Sequence, residues 1–140
     1  MTISIRPFTE SDAETVFKLR AEAFVTQFFE ELGPERCAAG INAYMPSDYQ
    51  RMAKEMKFFI AEESGRPVGF YTLKLDDPQT AELLFIYIDT KHLRRGIGAQ
   101  LIRHSEDWIR KNWPNVRTYV VDTGIPKYNP LSRPVKSNAT

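Results

Sequence analysis

The spacing of apolar residues changes period several times along this chain, and each change marks an element. Ile3 and Ile5 alternate with polar residues and stop at Pro7, as in a short edge strand. The period then becomes helical. Ser11-x-x-Glu14 reads as a capping box, and Val16, Phe17, Leu19, Arg20 and Phe24 follow at helical spacing. Gly33-Pro34 breaks the pattern, so a second helix is predicted from about Glu35 to Tyr44, ended by Pro46. Ser47-x-x-Gln50 reads as another capping box, with Tyr49, Met52, Ala53 and Met56 on one helical face as core.

Strand patterns come next. Phe58 to Glu63 and Val68 to Leu75 are predicted strands joined by a hairpin turn at Ser64-Gly65-Arg66-Pro67, with Asp76-Asp77-Pro78 as a second turn. Leu83 to Ile88 is apolar on both faces, which suits a central strand. Ile97, Leu101, Ser105 and Trp108 then share one face of a helix that stops before Pro114, supported by Glu106 and Arg110 as an i, i+4 pair. Val116 to Val121 is a further strand. The order strand, helices, three strands, helix, strand predicts an α/β (α+β) fold, one sheet covered by helices.

Composition narrows this reading without changing it. A chain of 140 residues is one domain, long enough to bury a core without disulfides or metals. A formal net charge of +1 and the lack of a basic stripe argue against nucleic acid and anionic membrane as partners. One cysteine, Cys37, leaves no internal disulfide and fits a reducing cytoplasm. No apolar run approaches the ~20 residues that cross a bilayer. The opening MTISIRPFTESD lacks the basic-then-apolar layout of a secretion signal, so a cytoplasmic protein is expected.

The candidate chemistry lies in AELLFIYIDTKHLRRGIGAQLI, Ala81 to Ile102. An apolar strand leads into a polar turn with two arginines, then Gly-Ile-Gly opens a helix. Gly96 and Gly98 carry no side chain, so the loop can turn tightly and present N–H groups at the positive end of the helix dipole. Arg94 and Arg95 add charge of a geometry suited to phosphate oxygens. A phosphate or pyrophosphate suits such a site. The spacing is neither the three-glycine dinucleotide fingerprint nor the Gly-Lys-Ser/Thr loop of triphosphate enzymes.

These residues and their order resemble the GNAT superfamily of acetyl-CoA-dependent N-acetyltransferases over about Ile3 to Val121. ISIRPFTESDAETVFKL is similar to the family's first strand and helix, and GRPVGFYTL to its third strand. The family's loop, Arg/Gln-x-x-Gly-x-Gly/Ala before a helix, is matched at Gly96, Gly98, Leu101 and Ile102, while its first position falls on Leu93. The resemblance implies a mixed, mostly antiparallel sheet whose last strands are missing here. It implies acetyl-CoA as co-substrate and no metal. The pyrophosphate would lie on Arg94, Arg95, Gly96, Ile97, Gly98 and Ala99. The pantetheine arm would pair with backbone at Ile86, Tyr87 and Ile88, where the fourth and fifth strands splay apart. The acetyl group would pass directly to a primary amine.

An alkyl ammonium has a reference pKa of ~10.4, so a base must take its proton before attack. Glu82, in an Ala-Glu-apolar context similar to that of the family's histone acetyltransferases, is the candidate. After Asp122 the chain continues as TGIPKYNPLSRPVKSNAT, too rich in proline for the family's tyrosine-bearing helix. Asn129 falls where a family asparagine contacts the cofactor arm, and Tyr128 is the candidate acid for the thiolate. The expected division is an acetyltransferase domain over 1–122 and an atypical proline-rich tail over 123–140. A fifth strand without neighbours would expose an edge. A second copy forming a homodimer, or the tail itself, would cover it, unless the chain is an altered form of a longer parent. The alternative function is a non-catalytic acyl-CoA-binding or interaction module. The acceptor site would fall in Phe24 to Ala43, where Phe24, Phe28 and Phe29 beside Glu30 and Glu31 suit a cationic substrate with an apolar part.

Overall fold

The computed structural model describes residues 2–121 and the backbone of 133–134. Strand β1 (Ile3–Pro7) leads through a 3-10 turn at Glu10–Asp12 into helix α1 (Ala13–Thr26). Helices α2 (Phe29–Asn42) and α3 (Pro46–Glu55) follow, then the antiparallel strands β2 (Lys57–Glu63), β3 (Arg66–Asp77) and β4 (Thr80–Ile88). Helix α4 (Ile97–Asn112) crosses over to β5 (Thr118–Val121), which runs parallel to β4, and β6 (Arg133–Pro134) pairs antiparallel with β5. The spatial order is β1 to β6 without interruption. One sheet covered by helices is what the pattern predicts, and its mixed, mostly antiparallel character is what the family resemblance implies.

Alternation along the strands explains why both faces are covered. Phe59, Tyr71, Leu73, Ala81 and Leu83 pack with Ile109 of α4 and with Val116 and Tyr119, while Ile97 and Leu101 of α4 cover Ala61 and Val68. On the opposite face Phe58, Ile60, Phe70 and Tyr87 meet Val16, Leu19 and Ala23 of α1 and Tyr49 and Met52 of α3. Successive residues of β2 therefore serve different cores, as side chains of period two require.

Several boundaries differ from the sequence expectation. Thr9 and Asp12, rather than Ser11 and Glu14, form the capping box before α1. Arg6 decides between them. Its guanidinium donates to both Asp12 carboxylate oxygens at 2.8 Å, and the Thr9 N–H donates to Asp12 Oδ2 at 2.7 Å. Arg6, together with the Thr9 donors, holds the Asp12 carboxyl below its ordinary range, against the opposing effect of burial. Similarly, Pro46 begins α3 instead of ending α2, because its fixed φ suits a first helical position. Asp48, not Gln50, closes that cap by accepting from the Met45 N–H at 2.7 Å. The hairpin turn is only Ser64-Gly65, both at positive φ (52° and 78°), so β3 starts at Arg66. β3 also continues through Asp77, so the predicted second turn narrows to Pro78-Gln79. Gly33 breaks α2 as predicted, at φ 80° and ψ 168°, although helix continues on both sides. The outer side of β5, expected to be an edge, carries Arg133–Pro134 opposite Tyr119 and Thr118.

Candidate functional site

The turn between β4 and α4 is built from backbone. Arg94 and Gly96 both take positive φ (64° and 80°), which reverses the chain and aims the start of α4 outward. The first intrahelical bond runs from Gln100 N to Gly96 O at 3.1 Å, so the N–H groups of Ile97, Gly98 and Ala99 have no acceptor within the helix. No side chain caps them. At Gly96 and Gly98 the position a Cβ would take has no atom within 4 Å, so an anion can approach the backbone itself. Ile97 is buried and roots the helix in the core, while Ala99 is exposed. This geometry fits a phosphate group.

The two arginines differ. Arg94 is exposed and makes no ion pair among the described residues. Arg95 Nη2 donates to Glu63 Oε2 at 2.9 Å. Glu63 in turn lies 3.5 Å from His92 Nε2, and His92 Nδ1 lies 3.2 Å from Asp89. This charged cluster beside the loop was not visible in the sequence, because β2 supplies one member and the loop supplies the others.

Along β4, Asp89 N donates to Val68 O at 2.8 Å, in the register that pairs Gly69 with Ile88 and Phe70 with Tyr87. Antiparallel ladders alternate, so the backbone groups of Tyr87 face β3 and those of Ile86 and Ile88 face the other way. β5 pairs with β4 only from Thr80 to Leu83, and among the described residues no strand lies beside Ile86 and Ile88. Among the described residues, their backbone donors and acceptors thus form an open edge next to the α4 N-terminus. A shift of register leaves Leu84 unopposed between Phe85 and Leu83, a bulge at the point where pairing with β5 stops.

Glu82 sits before that bulge, opposite Lys74 of β3 and Val120 of β5. Its neighbours Ala81 and Leu83 belong to the α4-side core, so its side chain points to the face of α1 and α3. Lys74 Nζ lies 4.0 Å from Glu82 Oε1. Four residues at ~3.3 Å each separate Glu82 from Ile86, about 13 Å along the strand. Tyr128 and Asn129 lie outside the described residues.

On that same face, Phe24, Phe28, Tyr44, Phe85 and Tyr87 form a cluster of rings, with Phe24–Phe28 centroids 5.5 Å and Tyr44–Phe85 centroids 5.4 Å apart. Arg20 lies among them, only 6% exposed. Gly40 makes this packing feasible, since a Cβ there would come within 2.5 Å of Phe24 Cε1. Of the residues expected to shape an acceptor site, Phe24 and Phe28 join the cluster. Phe29, Glu30 and Glu31 are exposed. The signal for Arg20 was present in sequence as a cation on an apolar helical face, read there only as part of the periodicity.

The chain matches the model of the acetyltransferase (GNAT) family over residues 14–129. Comparison with curated proteins finds no match. Among solved structures it is similar to the PaiA N-acetyltransferase of Thermoplasma acidophilum in complex with coenzyme A. The TM-score is 0.78 at 21% identity, covering 86% of this chain and 79% of that one. A GCN5-related N-acetyltransferase from Rhodopseudomonas palustris aligns with TM-score 0.75 at 21% identity, over 88% of this chain and 74% of its own. Ard1 from Thermoplasma volcanium gives 0.66 at 20% identity, over 86% and 71%. At such identities the structural likeness speaks for the fold. Together with a family match that spans most of the sequence, it shows that the chain belongs to the GNAT family of acetyltransferases.

Proposed function

We propose that this chain is a cytoplasmic N-acetyltransferase that moves the acetyl group of acetyl-CoA to a primary amine by direct attack. The observation that carries the reading is the uncapped N-terminus of α4, open above Gly96 and Gly98, beside the edge of β4 at Ile86 and Ile88 that is unpaired among the described residues. Hydrogen bonds to a charged acceptor contribute about 1.5–3 kcal/mol each. An exposed ion pair contributes about 0–1 kcal/mol. The backbone of Ile97, Gly98 and Ala99 therefore supplies most of the pyrophosphate affinity, and exposed Arg94 adds mainly to the rate of encounter.

When bound, acetyl-CoA supplies an activated thioester. Ile86 and Ile88 orient the pantetheine arm through their backbone groups. Glu82 accepts the amine's proton, through water given its distance along the strand. The amine lone pair then forms the C–N bond, the C–S bond breaks, and the thiolate leaves. Tyr128 is the proposed donor to that thiolate, and Asn129 a proposed contact to the arm. The proline-rich segment 123–140 thus belongs functionally with the acetyltransferase domain of 1–122.

Calorimetric titration of the folded chain with acetyl-CoA, then with CoA, tests the reading. Binding of both is expected, followed by thiol release with an amine. Failure of a folded chain to bind either one sinks it. Binding without turnover of any amine favours a non-catalytic acyl-CoA-binding module.

A further inference from the structure

Arg20 is the least explained charge in the described structure. Its guanidinium carbon lies 4.8 Å from the Phe24 ring centroid, 5.1 Å from Tyr44, 5.5 Å from Phe85 and 5.7 Å from Tyr87. Nη1 donates to the Gly40 carbonyl at 2.7 Å, near the end of α2, where carbonyls lack helical partners. That single bond does not account for the residue. Nε is buried with no hydrogen-bond partner, and so is the hydroxyl of Tyr49, which is only 1% exposed. The Arg20 guanidinium lies close enough to donate toward this same phenol oxygen, which leaves the Tyr49 O–H as the group without an acceptor. Among the described residues no carboxylate pairs with Arg20. Aromatic faces attract a cation but offer no acceptor to an N–H in its plane. An apolar side chain would fill the same space without a buried charge.

Two buried, unpartnered donors beside one positive charge match the two oxygens of a carboxylate. Their place in the fold is informative. Phe85 and Tyr87 flank Ile86, whose backbone faces the proposed cofactor arm. Phe28, Tyr44 and Phe85 are half-buried and form a rim above Arg20. The acidic residues expected to draw a cationic acceptor, Glu30 and Glu31, are exposed. The fixed charge inside the ring cluster is therefore positive.

We propose that Arg20, with the Tyr49 hydroxyl, anchors the carboxylate of the acceptor, which is an amino acid with an apolar side chain. This rests on the acetyltransferase reading. The rings receive the apolar side chain, Arg20 and Tyr49 hold the carboxylate, and the amine is directed toward the β4 edge. Admitting the carboxylate requires a rim ring such as Tyr44 or Phe85 to swing aside. In the reaction the deprotonated amine forms a C–N bond to the acetyl carbon as the C–S bond breaks. Its remaining extra proton is matched by protonation of the departing thiolate, so CoA leaves as the thiol and the N-acetylated amino acid is formed.

The test uses the full chain. Acetyl-CoA binding is measured first by calorimetry, then thiol release is measured with L-amino acids, each paired with its own carboxamide. The carboxamide has the less basic amine, more of it deprotonated near neutral pH, so on intrinsic reactivity it should win. The expected result is the reverse. Apolar amino acids should show kcat/KM at least about tenfold above their carboxamides, a difference of about 1.4 kcal/mol. Arg20→Gln should erase that ratio, mainly through KM, with acetyl-CoA affinity within about twofold of wild type, the scale of a site made elsewhere. Arg20→Lys should keep part of the ratio. Should Arg20→Gln fail to fold, the wild-type ratio decides the question alone, and Tyr49→Phe, raising KM for the acid only, supports it. A ratio of one or less across the panel, or no turnover of any acid, in a protein that binds acetyl-CoA overturns the carboxylate anchor and leaves the cofactor reading standing. Absence of acetyl-CoA binding sinks both.

Discussion

The two sides of β4 present different kinds of site. Beyond its carboxyl end, the α4 N-terminus offers N–H groups of Ile97, Gly98 and Ala99 with open space above two glycines. On its α1–α3 face, Arg20 and Tyr49 sit beneath rings contributed by α1, the α2–α3 connection and β4. The first site is local and backbone-made, so it tolerates changes in most side chains and fails when a glycine is lost. The second is assembled from distant segments, and its chemistry depends on each side chain that builds it. A family can hold the first site constant while the second varies, which is how one cofactor chemistry can serve many acceptors.

The contrast can be broken at several points. The largest effect should come from Gly96→Asp, which puts bulk and negative charge where an anion should lie, at a φ of 80°. Acetyl-CoA affinity should fall by about 100-fold or more, the loss of two charged hydrogen bonds. Unchanged affinity in a folded variant would remove the backbone site. Glu82→Gln should lower kcat at pH 7 by about 100-fold, the usual contribution of a positioned base, with partial recovery at higher pH as free amine accumulates. A wild-type pH–rate profile would show that Glu82 is not the base.

Gly40→Ala sharpens the comparison from the other side. Its Cβ would press on Phe24, costing about 1–3 kcal/mol of stability and shifting the carbonyl that Arg20 uses. The melting temperature should fall while acetyl-CoA affinity stays within about twofold. Equal loss of both would mean that the two sites are one cooperative unit.

The smallest effect is expected for Asp12→Asn, which loosens the entry of α1. A lost cap costs about 1 kcal/mol near neutral pH. Because Asp12's carboxyl is lowered in the folded state, its contribution is present above the unfolded value of 3.8 and is lost as pH falls through the folded one. Denaturant curves of the two proteins should therefore differ by a constant amount down to about pH 4 and converge below it. A gap that closes already near pH 6 would show that Asp12 is not the group responsible.

How much of this was legible beforehand follows from the range of each interaction. The α4 loop was readable because Gly-x-Gly before an apolar helical face is a contiguous signal. The strands β2 and β3 were readable because their apolar runs are bounded by turn residues. The caps of α1 and α3 were both displaced by two residues. At α1 two overlapping spacings, Thr9 with Asp12 and Ser11 with Glu14, fit the same rule, whereas at α3 Met45 offers only its N–H to Asp48, a pairing the rule does not flag. For α1 the choice fell to Arg6, a residue on β1. Glu63 beside Arg95 and His92 depends on β2 ending next to the α4 loop, which no local pattern encodes. Arg20 stood in a helical stripe as an oddity whose meaning needed Gly40, Tyr49 and Phe85 from three other elements.

The sequence by itself determined the element order through β5 and the glycine-opened helix start, because periodicity, turn chemistry and backbone freedom act over a few residues. The tertiary structure alone decided that Ile86 and Ile88, and not Tyr87, turn their backbone to the edge left open among the described residues, which carboxylate closes each cap, and that a guanidinium lies buried among four rings. Those outcomes depend on register and on packing between distant segments, and burial is what gives an unpartnered donor its energetic weight.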